Sequence, residues 1–347
     1  MAAKPEQGIL RYRAQGCLDQ KAFVSNDPKH RGAIIMKRLI AVVLLLSVPG
    51  LATAAGRPDW AFPSKSAEAV PAAPDAGKPK QVAGSAKSFL QSQIDDPMNP
   101  PDWFPDEHAP LPQVVAHGGS KGGRACMGCH MPTGLGHPEN SRLPGSTAAY
   151  LMRQLADFRS GARTVEGGGT MIGIAKGLTD EEMTAATSYF AGLKPVRWTR
   201  VVETDTVPRS YFKGTALLPH PAGGTEPIGN RIIELPEDFD RFEMRDPHSG
   251  FISYVPKGAL AKGEALVTTG GGGTTLPCAI CHGADLKGIG DVPGIAGRSP
   301  GNIARELYFF QTGLRGGASA ALMKAVTEKL GADDILAISA YVASREP

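Results

Sequence analysis

"RACMGCHMP" (residues 124–132) places Cys126 and Cys129 three apart, with His130 directly after the second. The chain repeats the arrangement in "PCAICHGAD" (277–285), at Cys278, Cys281 and His282. Two thiols about one helical turn apart can reach one edge of a flat porphyrin, and the adjacent imidazole then lies under the iron. Cys-x-x-Cys-His is the attachment signature of c-type haem. The four cysteines are therefore expected to hold two haem c groups through thioethers, with His130 and His282 as axial iron ligands. A zinc site would want four ligands, and Cys126, Cys129 and His130 are too cramped to bind as three. A redox dithiol needs no following histidine and sits in a βαβ setting absent here.

The repeat extends well past the cysteines. A shift of 152 residues superposes Gly145 on Gly297, Leu155 on Leu307, Phe158 on Phe310 and Arg163 on Arg315, without a gap. Met171, Leu178 and Tyr189 fall on Met323, Leu330 and Tyr341. A unit of about 70 residues is too long for a solenoid turn, so two copies mean tandem domains.

Each copy carries two legible helices. "YLMRQLADFRSGAR" (150–163) sets Leu151, Leu155 and Phe158 on one face, and "NIARELYFFQTGLR" (302–315) does the same with Ile303, Leu307 and Phe310. The closing helix "TDEEMTAATSYFAGL" begins with the capping-box spacing Thr179 and Glu182. Its counterpart begins at Gly331, which predicts a weaker cap. "GALAKGEALV" (258–267) reads as a further helix, and "PLPQVVAHG" is a poorer match before the first cysteine pair.

Composition bounds the rest. Hydrophobic residues make up 41% and aromatics only 6%, with 43 Gly and 29 Pro. That mix suits small domains with much irregular backbone, wrapped around something large and apolar. "MKRLIAVVLLLSVPGLATAA" (36–55) has a basic start, an apolar run and a small-residue cleavage site, the pattern of a secretory signal peptide. The apolar run is shorter than the roughly 20 residues that span a bilayer. Residues 1–35 form an upstream extension without hydrophobic periodicity, and Met36 is a candidate start. The formal charge of +3 comes largely from this leader, which holds eight Lys/Arg but only three Asp/Glu. What remains has no basic run to suggest nucleic acid, and its four cysteines all lie in the two Cys-x-x-Cys-His stretches.

Met171 and Met323 each follow the histidine of their copy by 41 residues. A thioether is a soft ligand suited to haem iron, and Met/His ligation raises the reduction potential. They are the expected far-side ligands, whereas Met152 and Met183 lack counterparts and read as core. His117, His137, His220 and His248 also lack counterparts and read as surface or loop residues.

Together these residues resemble class I c-type cytochromes, and more closely the tandem di-haem group that includes the c-four cytochromes. The resemblance covers about 111–194 and 258–346. It rests on the two cysteine stretches, on "YLMRQLADFRSGAR" with "TMIGIAKGLTDEEMTAATSYFAGL", and on "PGIAG" (293–297). It implies a mainly α fold of two tandem class I cytochrome c domains, at 111–195 and 258–347. A Pro/Ala-rich arm (56–110), in which Trp60 and Trp103 are candidate anchors, and a connector (196–257) with a few short strands fall outside it. In that family a proline carbonyl holds the iron-ligating histidine, which assigns Pro293 to His282. The matching position in the first copy is Ser141, a departure from the pattern.

With both axial positions filled, the iron can only change oxidation state. The expected role is a periplasmic electron carrier rather than an enzyme. It would move single electrons between redox proteins that dock transiently, a dehydrogenase donor and a respiratory acceptor, with no membrane span in the mature chain. Two alternatives stay open. One is a di-haem cytochrome c peroxidase, whose working haem must open a coordination position. The other is a cytochrome subunit of a larger dehydrogenase, with arm and connector as binding surfaces.

Overall fold

The computed structural model describes residues 56–63, 77–166 and 169–347. The upstream extension (1–35) and the signal peptide (36–55) lie outside the described residues.

The first helical lobe runs α1 (Gln113–His117), α2 (Met127–His130), α3 (Ala148–Ser160), α4 (Thr170–Gly177) and α5 (Asp180–Gly192). The Thr147 hydroxyl caps α3 by accepting the Tyr150 N–H at 3.1 Å, and Gly161 ends it in the left-handed region at φ 81°. Leu151 and Phe158 are buried, with Leu155 beside them. The anticipated box opens α5: Thr179 N–H donates to the Glu182 carboxylate at 2.8 Å, and Glu182 N–H to Thr179 Oγ1 at 3.2 Å. A cap of this kind contributes about 1 kcal/mol. Met183, Ala186 and Phe190 then turn into the core with Val114 and Val115 of α1.

The second lobe repeats the order: α6 (Ala259–Thr269), α7 (Ala279–His282), α8 (Pro300–Thr312), α9 (Ala321–Thr327) and α10 (Ala332–Ala343). Ser299 caps α8 with Pro300 at its first position, and Gly313 ends it at φ 78°. At Gly331 only half a box forms. The Asp334 carboxylate accepts the Gly331 N–H at 3.0 Å, and glycine has no side chain to return the bond. α6 crosses α10 so closely at Gly263 that a Cβ there would stand 2.0 Å from the Ala337 carbonyl oxygen. Only glycine fits.

The connector holds more sheet than the few strands expected. β1 (Thr199–Thr204) lies parallel to the central β3 (Phe251–Pro256), and β2 (Ile233–Pro236) lies antiparallel on its other side. Two short ribbons, 206–208 with 225–227 and 210–213 with 216–219, hang from it. Ile232 and Val255 pack on Leu336 and Ala340, the outer face of α10. That cover explains why α10, unlike α5, is buried on every face from Ile335 to Ala343.

The described parts of the arm, 56–63 and 77–110, pack against the body. Trp103, 2% exposed, donates its Nε1–H to the Met244 carbonyl at 2.7 Å. Phe62 sits edge-on to Tyr308 and Phe309, beside a partly buried Trp60.

The two lobes meet about a local two-fold axis. Thr164 N–H donates to Leu314 O at 2.7 Å and Gly316 N–H to Ala162 O at 2.8 Å, which is one bond and its copy under the 152-residue shift. Between them Arg163 and Arg315 share the Glu306 carboxylate and the Gln154 amide oxygen. Gln154 and Glu306 are themselves matched positions. Among the described residues no helix is long and apolar enough to cross a membrane.

Candidate functional site

Each Cys-x-x-Cys-His stretch folds into one helical turn with the first cysteine at its N-terminal boundary. The His130 N–H donates to Cys126 O at 2.9 Å, and the His282 N–H to Cys278 O at 2.9 Å. This winding puts both thiols of a pair on one short element, and all four are free. Burial pushes the Cys126 thiol up to about 12 and the Cys278 thiol up to about 11. Among the described residues no three His, Cys, Asp or Glu side chains gather into a metal cage.

The imidazoles are anchored alike. His130 Nδ1 lies 2.9 Å from the Ser141 carbonyl, and His282 Nδ1 lies 2.8 Å from the Pro293 carbonyl. A carbonyl can only accept, so Nδ1 carries the hydrogen in both rings and Nε2 keeps its lone pair. Burial lowers both imidazole pKa values, which favours the neutral form. A neutral ring held by Nδ1–H with Nε2 open is the donor set that haem iron takes. The sequence pattern broke at Ser141, but the contact uses the main chain, so the side chain there is immaterial. The legible signal was spacing: each carbonyl lies 11 residues after its histidine.

The methionines are placed less evenly. Met323, in α9, packs on the second core together with Cys278 and Ala279. Met171, in the first turn of α4, is half-buried and stands apart from the first core that Cys126 borders. Met183 is buried and Met152 packs on the same core, as expected of fillers. His117 Nδ1 meets Asn99 Oδ1 at 3.0 Å, and His248 Nε2 meets Glu107 at 2.7 Å.

The two stretches differ in cover. The Pro97 carbonyl accepts the Ala125 N–H at 3.3 Å and stands where a side chain on Gly128 would go. Arg245 of the connector donates to the Gly128 carbonyl at 2.5 Å. In the second copy the position of Gly128 is Ile280, 67% exposed, and Leu322 beside Met323 is 77% exposed.

No family model matches the chain. A cytochrome c-554(548) from Halomonas halodenitrificans is 34% identical over 90 residues, which is 26% of this chain and 99% of that protein. The chain belongs to the c-type cytochromes. Within them it is c4-like. Cytochrome c4 of Azotobacter vinelandii is 40% identical over 93 residues, 24% of this cytochrome and 44% of the relative. The match thus spans less than half of that relative. A protein named thiosulfate dehydrogenase electron acceptor, from Thiomonas intermedia, is 25% identical over 226 residues, 64% of this cytochrome and 78% of its own length.

Proposed function

We propose that this cytochrome carries two haems, one per lobe, and relays single electrons from a dehydrogenase to a respiratory acceptor in the periplasm. The observation that carries the reading is the pair of identically anchored imidazoles, each with Nε2 open, beside two free thiols. When bound, haem supplies a one-electron iron couple. Cys126 and Cys129 hold one group and Cys278 and Cys281 the other. His130 and His282 would ligate the two irons through Nε2, and Met171 and Met323 would offer a thioether to each as the second ligand. The Ser141 and Pro293 carbonyls fix ring orientation and make each imidazole a better donor. With a histidine and a methionine offered to each iron, a bound haem would keep no free position for peroxide, which disfavours the peroxidase alternative. The tandem division into domains at 111–195 and 258–347, and export by the signal peptide at 36–55, belong to this same reading.

The far-side ligands have a direct test. Ferric thioether-ligated haem shows a weak near-red charge-transfer band. Met171→Ala and Met323→Ala are each expected to remove about half of that absorbance and to lower one of the two reduction potentials. An unchanged band in both variants would overturn the assignment.

The donor reading draws on the thiosulfate dehydrogenase electron acceptor relative, and thiosulfate dehydrogenase is the first donor to try. Ile280 and Leu322 give the second lobe an open apolar rim, whereas arm and connector cover the first. Apolar residues at the centre of a small redox interface are where a substitution is felt most. Leu322→Glu is expected to slow reduction by the dehydrogenase about tenfold, a loss of about 1.4 kcal/mol, in stopped-flow mixing. Equal slowing by Thr170→Glu, at the exposed position of the first lobe that matches Leu322, would argue against docking at the second lobe.

A further inference from the structure

The loops that anchor the two histidines are tied to each other by a pair of arginines. Arg142 follows Ser141, whose carbonyl holds His130, yet its guanidinium reaches into the other lobe. Its Nη2 donates to Ala296 O at 3.0 Å and its Nη1 to Gly297 O at 3.1 Å, just past Pro293. Nη1 also donates to Val196 O at 3.1 Å. Arg298 answers from the second lobe. Its Nε donates to Gly294 O at 2.7 Å, and Gly294 follows Pro293, whose carbonyl holds His282. Its Nη1 donates to Arg142 O at 2.5 Å, and its Nη2 to Ser146 Oγ at 2.9 Å. One guanidinium therefore grips the residue after Ser141 and the residue after Pro293 at once.

Both side chains are buried, Arg142 at 6% and Arg298 at 9% exposed. Among the described residues every acceptor they use is a neutral carbonyl or hydroxyl oxygen. Burying a cation this way costs several kcal/mol before hydrogen bonds offset it, so a simpler lobe contact would not need it. The two are not copies of one another, because the shift pairs Arg142 with Gly294 and Arg298 with Ser146. The clasp is a feature of the joined pair rather than of the repeat.

We propose that Arg142 and Arg298 are positioning residues that couple the two iron sites. By fixing both carbonyl loops to one another, they set the Nδ1–H bonds of His130 and His282 together, so a change at either loop reaches both histidines. The proposal rests on the reading that these histidines ligate haem iron. Lysine keeps the charge but cannot reproduce the planar fork, which separates positioning from charge.

The test uses the haem-loaded full chain with Arg142→Lys, Arg298→Lys and the milder Ser146→Ala. The readouts are the ¹⁵N NMR signals and hydrogen exchange of both imidazole Nδ1–H groups, and both reduction potentials. Each arginine variant is expected to shift the signals of both histidines and to speed exchange at both by about fivefold, the scale of one weakened hydrogen bond. Ser146→Ala, which leaves both carbonyl grips in place, is expected to move His282 as well as His130, by less. Should each variant move only the histidine of its own loop, or should lysine behave as wild type, the coupling is overturned. A wild-type protein without a low-spin haem spectrum would instead overturn the ligation reading, a separate outcome read before any variant is made.

Discussion

Replacing Cys278 and Cys281 together by alanine is expected to lower the haem content from two per chain to one. The same change at Cys126 and Cys129 is expected to do the same, and all four substitutions should leave none. The expectation follows from the separation of the lobes. Each cysteine pair lies on its own short helix and borders its own core, with Cys126 on the first and Cys278 on the second. Neither pair lends a thiol to the other, so loading should be additive. The stability effects should differ. Cys278, Ala279 and Met323 all pack on the second core, which is built around α8 and α10. Losing a haem that would be held there should unfold the second lobe first, read as faster amide exchange in α10 than in α5. Pigment-based quantification of haem per chain checks the count. Two haems retained in the Cys278/Cys281 variant, or none, would refute independent attachment.

Glu306→Gln is expected to be the costliest single substitution at the lobe contact. Among the described residues Glu306 is the one carboxylate hydrogen-bonded to both Arg163 and Arg315, with Arg163 Nη2 at 2.5 Å from Oε1 and Arg315 Nη1 on Oε2. All three side chains are nearly buried. Removing the charge leaves two buried guanidiniums facing each other, at a cost of about 3–5 kcal/mol. For a chain of this size that is on the order of 10 °C in Tm. Burial alone would raise the Glu306 pKa, but the two arginines outweigh it and hold it at about 2. A carboxylate whose folded pKa is depressed stabilises above its unfolded value, and that stability is lost as pH falls. The loss should run from about pH 4.5 down to about 2, with about 3 kcal/mol at stake. Glu306→Gln should flatten this acid limb. Because Gln154 occupies the matched position and already touches both arginines, adding Gln154→Glu to Glu306→Gln should restore most of the stability. A double variant no better than the single one would show that the carboxylate's partners are not shared.

What could be read in advance was what is local or periodic. The cysteine stretches, the capping box at Thr179 and the buried faces of α3 and α8 each need only a few consecutive residues. What stayed hidden depends on distant chain. The parallel pairing of β1 with β3 joins the two ends of the connector, and no turn chemistry announces it. The arginine clasp requires knowing that residues 142 and 298 meet. A subtler case is backbone hand. Among the left-handed positions that follow each histidine are Met131 and Gly134 in the first copy and Gly283 and Leu286 in the second. The positions correspond, but glycine and a large buried side chain have changed places. Identity-based matching of the copies misses this, since the conserved quantity is a φ angle rather than a residue. Two non-glycine residues thus bear strain of about 1–2 kcal/mol each, which their burial offsets.

The near-symmetric seam at Arg163 and Arg315 has an arithmetic consequence. Two identical chains meeting about that axis could bring either no carboxylate or a pair of them to the crossing, never an odd number. Fusing the halves into one polypeptide lifts the restriction. Gln154 and Glu306 diverged across the axis, and a single negative charge came to sit between two positive ones. Covalent linkage also makes the association independent of dilution, so the seam can keep an uneven charge that a freely dissociating dimer could not hold.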